Sequence, residues 1–171
     1  MRKIVLCFFA SLFLGAMAKP AEVSEILPDA MKLGEVRYKK AIFKLYDATL
    51  WTAGEAFSWD DPFALSLQYL RSFSAERITN AAIIEMARLT DREEEEIEDA
   101  RAPLTACFAD VEKGDVITGV STGENEASFF YNGEKRCDIE YPGFRDAFFG
   151  IWLSDQSRDA ERGAILRGED V

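Results

Sequence analysis

The sequence contains no histidine. That excludes His-based general acid–base catalysis, Ser-His-Asp and Cys-His nucleophile systems, and imidazole-ligated metal sites. Basic residues are in short supply, with 20 Lys+Arg against 31 Asp+Glu in 171 residues and a formal net charge of −11. A nucleic-acid partner calls for a basic face that displaces counterions, so no nucleic acid is expected. Glycine-rich phosphate loops are absent: no G-x-x-x-x-G-K occurs, and no strand-to-helix glycine fingerprint. The acidic run Asp91 to Asp99 lacks the alternate carboxylates, central Gly and closing Glu of a calcium loop, and reads as a solvated helix face. No metal and no cofactor are expected. Internal repeats and low-complexity linkers are also missing, and one apolar run, Ile4 to Met17, is the only long one.

That run follows the basic pair Arg2-Lys3 and ends at Ala16-Met17-Ala18, with small residues at the −3 and −1 positions of a cleavage site. A basic n-region, an apolar stretch too short for the ~20 residues of a membrane span, and a small-residue junction together predict a secretory signal peptide over residues 1–18. Residues 19–171 are then a single domain, expected in a periplasm or outside the cell without a membrane span. Loss of Arg2 and Lys3 takes the formal charge from −11 to −13. Of three cysteines, Cys107 and Cys137 remain. In an oxidising compartment they can pair, and two buried thiols are the equal alternative.

With 48% hydrophobic and 12% aromatic residues the domain can build a core. Ala21 to Asp29 reads as a polar lead-in. Strands are predicted at Leu33 to Tyr38, Ala41 to Trp51 and Phe63 to Leu70, with Lys39-Lys40 near the first turn. The third alternates Phe63, Leu65, Leu67 and Tyr69 against Ala64, Ser66 and Gln68, which implies one buried face. Ser74 is placed to cap a helix that carries Ile78, Ala82, Met86 and Leu89 at helical spacing. Thr90-Asp91-Arg92-Glu93 reads as a capping box opening a second helix, which Pro103 is expected to break. Val116–Val120, Ala127–Tyr131 and Lys135–Tyr141 form a meander around the hairpin signal Asn132-Gly133. Helices are expected at Phe144–Leu153 and Asp155–Leu166. Strands, helices, hairpins and helices in that order mean α+β with an antiparallel sheet.

Among candidate ligand residues Arg37 stands out, because a strand-borne guanidinium beside an apolar sheet suits an anion with a greasy tail. The plain alternative is a surface Arg paired with a neighbouring acid.

Several segments carry a family likeness in their order and spacing: Gly34-Glu35-Val36-Arg37, Phe43 to Trp51, Pro62 to Leu65 with Tyr69-Leu70-Arg71, Phe108 to Val111 with Lys113-Gly114-Asp115, Phe129 to Gly133, and Phe144 to Leu153. Through them the chain resembles the chalcone isomerase-like superfamily, specifically its bacterial secreted branch, from about Leu33 to Leu166. The resemblance implies an open-faced β-sandwich, one large antiparallel sheet with a helical layer on one face. It also implies a cleft between sheet and helices, used by plant isomerases for chalcones and by non-catalytic members for fatty acids. Arg37 matches the arginine that reaches into that cleft, with Tyr38, Tyr46 and Thr49 as its expected companions around a ligand. The isomerases place a Tyr and an Asn beyond the third strand. Between Ile83 and Phe108 this chain has neither, and Thr90 is the nearest hydroxyl.

The leading expectation is therefore a non-catalytic protein holding a small amphipathic anion, such as a fatty acid. An isomerase or lyase for a phenolic or enone substrate is the second reading. A third is an envelope interaction module with the sheet–helix space filled by Phe43, Phe63, Leu67, Phe129 and Phe148. Composition and spacing say nothing of oligomeric state.

Overall fold

The computed structural model describes residues 17–170. The predicted leader lies outside them apart from Met17 and Ala18. The elements run α1 (Ala21–Ile26), β1 (Met31–Lys40), β2 (Phe43–Thr52), β3 (Phe63–Tyr69), α2 (Ala75–Thr90), a 3-10 helix (Glu94–Ala100) and α3 (Arg101–Cys107). They continue with β4 (Val116–Ser121), β5 (Glu126–Tyr131), β6 (Glu134–Glu140), a π-helical turn (Arg145–Phe149), α4 (Gly150–Leu153) and α5 (Ala160–Leu166). All six strands form one antiparallel sheet in sequence order. The expected α+β architecture, an open sheet with a helical layer on one face, is what the chain adopts, with the short α1 alone on the other among the described residues.

Strand alternation divides the core in two. Val36, Tyr38, Ala48, Leu50, Leu65 and Leu67 face the helices and join Ile83, Met86 and Leu104 in the main core. The opposite parity gives a second cluster, in which Trp51, Ala64, Val120 and Phe130 pack with Val23 of α1. The lead-in is thus a short helix on the outer face, rather than polar coil. For the same reason β3 is buried on both faces, not one. At its centre Ser66 accepts from Trp51 Nε1 at 3.1 Å and shares a hydrogen bond with Thr118 at 3.1 Å, so these two buried hydroxyls are satisfied.

Several boundaries shift for identifiable reasons. The β1–β2 turn is Ala41-Ile42, beyond the two lysines. Ser74 caps α2, its Oγ accepting from Arg77 N–H. Thr90 closes α2 instead of opening the next helix, since its hydroxyl donates back to the Met86 carbonyl and Asp91 takes the left-handed cap. The capping box belongs to Glu93 and Glu96, where carboxylates replace the hydroxyl. Pro103 sits in the first turn of α3, where its missing N–H costs nothing. The Asn132-Gly133 turn has both residues at positive φ, as a tight hairpin requires.

Cys107 of α3 and Cys137 of β6 are joined by a disulfide with Cα atoms 5.2 Å apart. Of the two alternatives, the paired one holds. At the other edge of the sheet, on the same helical face, α5 lies so close to β1 that a Cβ on Gly34 would stand 2.4 Å from the Ile165 and Leu166 carbonyl oxygens. Both obstacles are backbone and cannot rotate away. Gly34→Ala is expected to lower stability by about 1–3 kcal/mol through overpacking, read as a fall in the denaturant midpoint; an unchanged midpoint would show that α5 shifts freely.

Candidate functional site

Between the sheet and the helical layer the packing leaves a cavity of about 260 Å3. Its floor is the inner face of the central strands, with Leu65, Leu67, Ile117 and Phe129. Gly119 is part of that floor, and a Cβ there would meet the Phe129 ring at 3.0 Å and the Phe149 ring at 3.1 Å. One wall is α2, through Ile78, Ala82 and Glu85. The other is the π turn and α4, through Phe148, Phe149 and Trp152. The helix over Phe144–Leu153 is thus interrupted by a π turn, and both Phe148 and Phe149 of that turn reach the lining.

Polar atoms on this lining are few. Tyr46 Oη accepts from Trp152 Nε1 at 3.0 Å. Burial pushes the Tyr46 phenol up to about 12 and shifts Tyr69 and Tyr38 upward as well. The three tyrosines are cross-strand partners on β1, β2 and β3, with ring centroids 5.2 Å and 5.8 Å apart in succession. Glu85 is engaged by Arg88 and Arg158. Arg77, on the first turn of α2, lies over the Phe73 ring at 5.7 Å and has no carboxylate partner among the described residues. Eight residues separate Arg77 from Glu85, about 12 Å along the helix. The cavity therefore has a cationic end and, further along α2, a neutralised acidic one.

The four expected ligand residues divide between the two faces. Arg37 and Thr49 share the outer face. Arg37 grips Asp47 in a two-pronged ion pair at 2.6 and 2.7 Å, and this carboxylate raises the guanidinium pKa further. It does not line the cavity, because Val36 and Tyr38 on either side of it point inward. The surface-pair alternative describes its position. Thr49 is buried on that same outer face beside Ser66. Tyr38 and Tyr46 face the helices, and of the four only Tyr46 reaches the lining. Tyr38 stacks behind it, its hydroxyl buried without a partner among the described residues.

Sequence reasoning missed Arg77, Tyr69 and Trp152. The parity that places Tyr46 on the helix side places Tyr69 there too, so that signal was present. Arg77 gave none: it flanks the apolar stripe of α2, and only the docked helix shows which flank meets the cavity.

Two measurable effects follow from these contacts. Tyr46→Phe leaves Trp152 Nε1 without its acceptor and is expected to cost about 1–3 kcal/mol in chemical denaturation. Loss of nothing would mean that Trp152 finds another acceptor. The tyrosine shifts carry a pH dependence. A phenol held above its unfolded value, near 10, contributes stability that is whole below pH 10 and lost as pH rises through the folded value, about 12 for Tyr46. Denaturant midpoints should fall across that window and recover part of the loss in Tyr46→Phe relative to its own neutral-pH value; a flat profile would show the phenols exposed.

The chain thus forms a six-stranded antiparallel sheet with a helical layer and an intervening apolar cavity, and a largely apolar cavity with few polar groups is the kind of space that suits an organic ligand. The chalcone isomerase-like family profile matches residues 33–162, and the chain belongs to that family. No curated protein sequence matches it significantly. Among solved structures, a fatty-acid binding protein of Arabidopsis thaliana, AtFAP1, superposes with a TM-score of 0.65 at 10% identity, over 82% of this chain and 87% of that one. At that identity the likeness concerns the fold.

Proposed function

We propose that this protein binds a small amphipathic carboxylate of the fatty-acid type, its acyl chain in the sheet–helix cavity and its carboxylate at Arg77. The observation that carries the reading is the cavity itself: an almost wholly apolar lining with one carboxylate-free cation at its edge. A volume of about 260 Å3 equals roughly nine waters at ~30 Å3 each. Methylenes are of similar size, so the fit is to short or medium chains. Holding is favoured over turnover, because an isomerase moves protons near neutral pH whereas Tyr46 keeps its proton to about 12. The fatty-acid binding protein of similar fold lends the reading further support. The Cys107–Cys137 disulfide and the leader-like residues 1–18 favour export to an oxidising compartment.

Titration with a series of saturated fatty acids tests it. Octanoate to dodecanoate should bind best. Arg77→Ala should weaken binding about ten- to a hundredfold, with partial recovery in Arg77→Lys, which keeps the charge but loses the planar fork. Arg37→Ala, on the other face, should bind as the parent does. Absence of binding, or sensitivity to Arg37 and not Arg77, would overturn the assignment.

A further inference from the structure

We propose that the tip of the β1–β2 hairpin is a docking site for an anionic phospholipid bilayer. Ile42 is 86% and Phe43 55% exposed, an apolar pair side by side at the projecting turn. Lys39, Lys40 and Lys44 surround them, all exposed, with Lys39 opposite Lys44 and Lys40 opposite Phe43 in the strand register. The Arg71 guanidinium lies 5.0 Å from the Phe43 ring centroid and 6.0 Å from that of Phe73, and Arg77 covers Phe73 in turn. None of these five cations has a carboxylate partner among the described residues; five others, Lys19, Arg92, Lys113, Arg136 and Arg145, are likewise without one, so what marks the tip is the clustering of five around an exposed apolar pair. In a chain of net charge −11 this is a concentrated reversal of sign.

The turn itself points the same way. Ala41 holds φ at 53°, the left-handed region that favours Gly or Asn. The β5–β6 hairpin meets that demand with Asn132-Gly133, while this one spends it on an apolar Ala-Ile pair. An apolar tip ringed by cations, on a turn that projects rather than receives, suits insertion below a layer of anionic headgroups. A protein partner would have to offer a pocket for Ile42 and Phe43 as well as carboxylates. The same tip adjoins Leu45, Phe73 and Arg77 of the cavity lining, so a docked hairpin brings that edge of the cavity close to the bilayer. The docking does not depend on what the cavity holds.

The test is co-sedimentation of the full chain with vesicles of phosphatidylcholine alone and of a phosphatidylcholine–phosphatidylglycerol mixture, at low and raised salt. Binding should require the anionic lipid and weaken with salt. Each cation removed should weaken it roughly fivefold, so Lys39→Gln/Lys40→Gln/Lys44→Gln falls roughly a hundredfold. Ile42→Ser should weaken it several-fold at unchanged charge. Lys135→Gln/Arg136→Gln, on β6 at the other edge of the sheet, should behave as the parent. All variants carry the same N-terminus, so residues 1–18 contribute equally throughout, and circular dichroism confirms that each is folded. No binding to the anionic vesicles, equal binding to neutral ones, or indifference to the triple substitution overturns the proposal, and the first of these is also the outcome if the tip serves an acidic protein.

Discussion

Cys107→Ser/Cys137→Ser is expected to lower the unfolding free energy by about 3–4 kcal/mol relative to the disulfide-bonded protein. The bridge closes a loop over a sequence separation of 30 residues, and chain-entropy arguments assign about that much to a loop of this length. It also ties α3 to β6, an edge strand that pairs, among the described residues, with β5 alone. Against a typical total of about 5–15 kcal/mol for a domain, the loss is large. Paired denaturation curves with and without reductant measure it, and the double substitution should reproduce the reduced curve. In denatured, unreduced protein Cys107 and Cys137 should give no thiol reaction. A free thiol at either position, or superimposable curves, would show that the bond does not persist in solution.

The second large effect concerns Phe129. Its ring lies at the middle of an aromatic cluster, with centroids of Phe148, Phe108 and Phe144 at 5.3, 5.5 and 6.1 Å. It is almost wholly buried and forms part of the cavity floor. Phe129→Ala removes the ring from both roles and is expected to cost about 3–5 kcal/mol, since edge-to-face neighbours cannot collapse into the space. The vacated volume joins the existing cavity. A variant that stays folded should therefore shift its preference among saturated fatty acids towards longer chains. Denaturation gives the first effect and competition between chain lengths the second. A cost below about 1 kcal/mol would mean that Phe148 and Phe149 move in to close the gap. An unaltered chain-length preference in a folded variant would place the ligand elsewhere.

Periodicity carried most of the fold. The six strands and the long helix α2 were legible because each has a face of its own, marked by alternation or by Ile78, Ala82 and Met86 at helical spacing. Asn132-Gly133 was legible because a turn with two positive φ values admits few residues. The weaker elements were less so. α1 has six residues and depends on Val23 meeting Trp51 and Phe130 across the outer face. The π turn depends on Phe148 and Phe149 both finding places in the core.

The candidate site divides along the same line. Residue chemistry alone identified an Arg beside an apolar sheet as the feature to seek, and two tyrosines near it. Which Arg stands at the cavity edge was decided by parity and docking. A one-residue step on β1 turns Arg37 outward to Asp47, and the seating of α2 brings Arg77 to the cavity edge. By itself the sequence determined the six strands, the long helix α2, the antiparallel class and the absence of histidine chemistry, because those depend on local spacing and on residue type. The disulfide, the cavity and the identity of its cation were left to the tertiary structure, because each depends on atoms far apart in the chain whose distances no local pattern encodes.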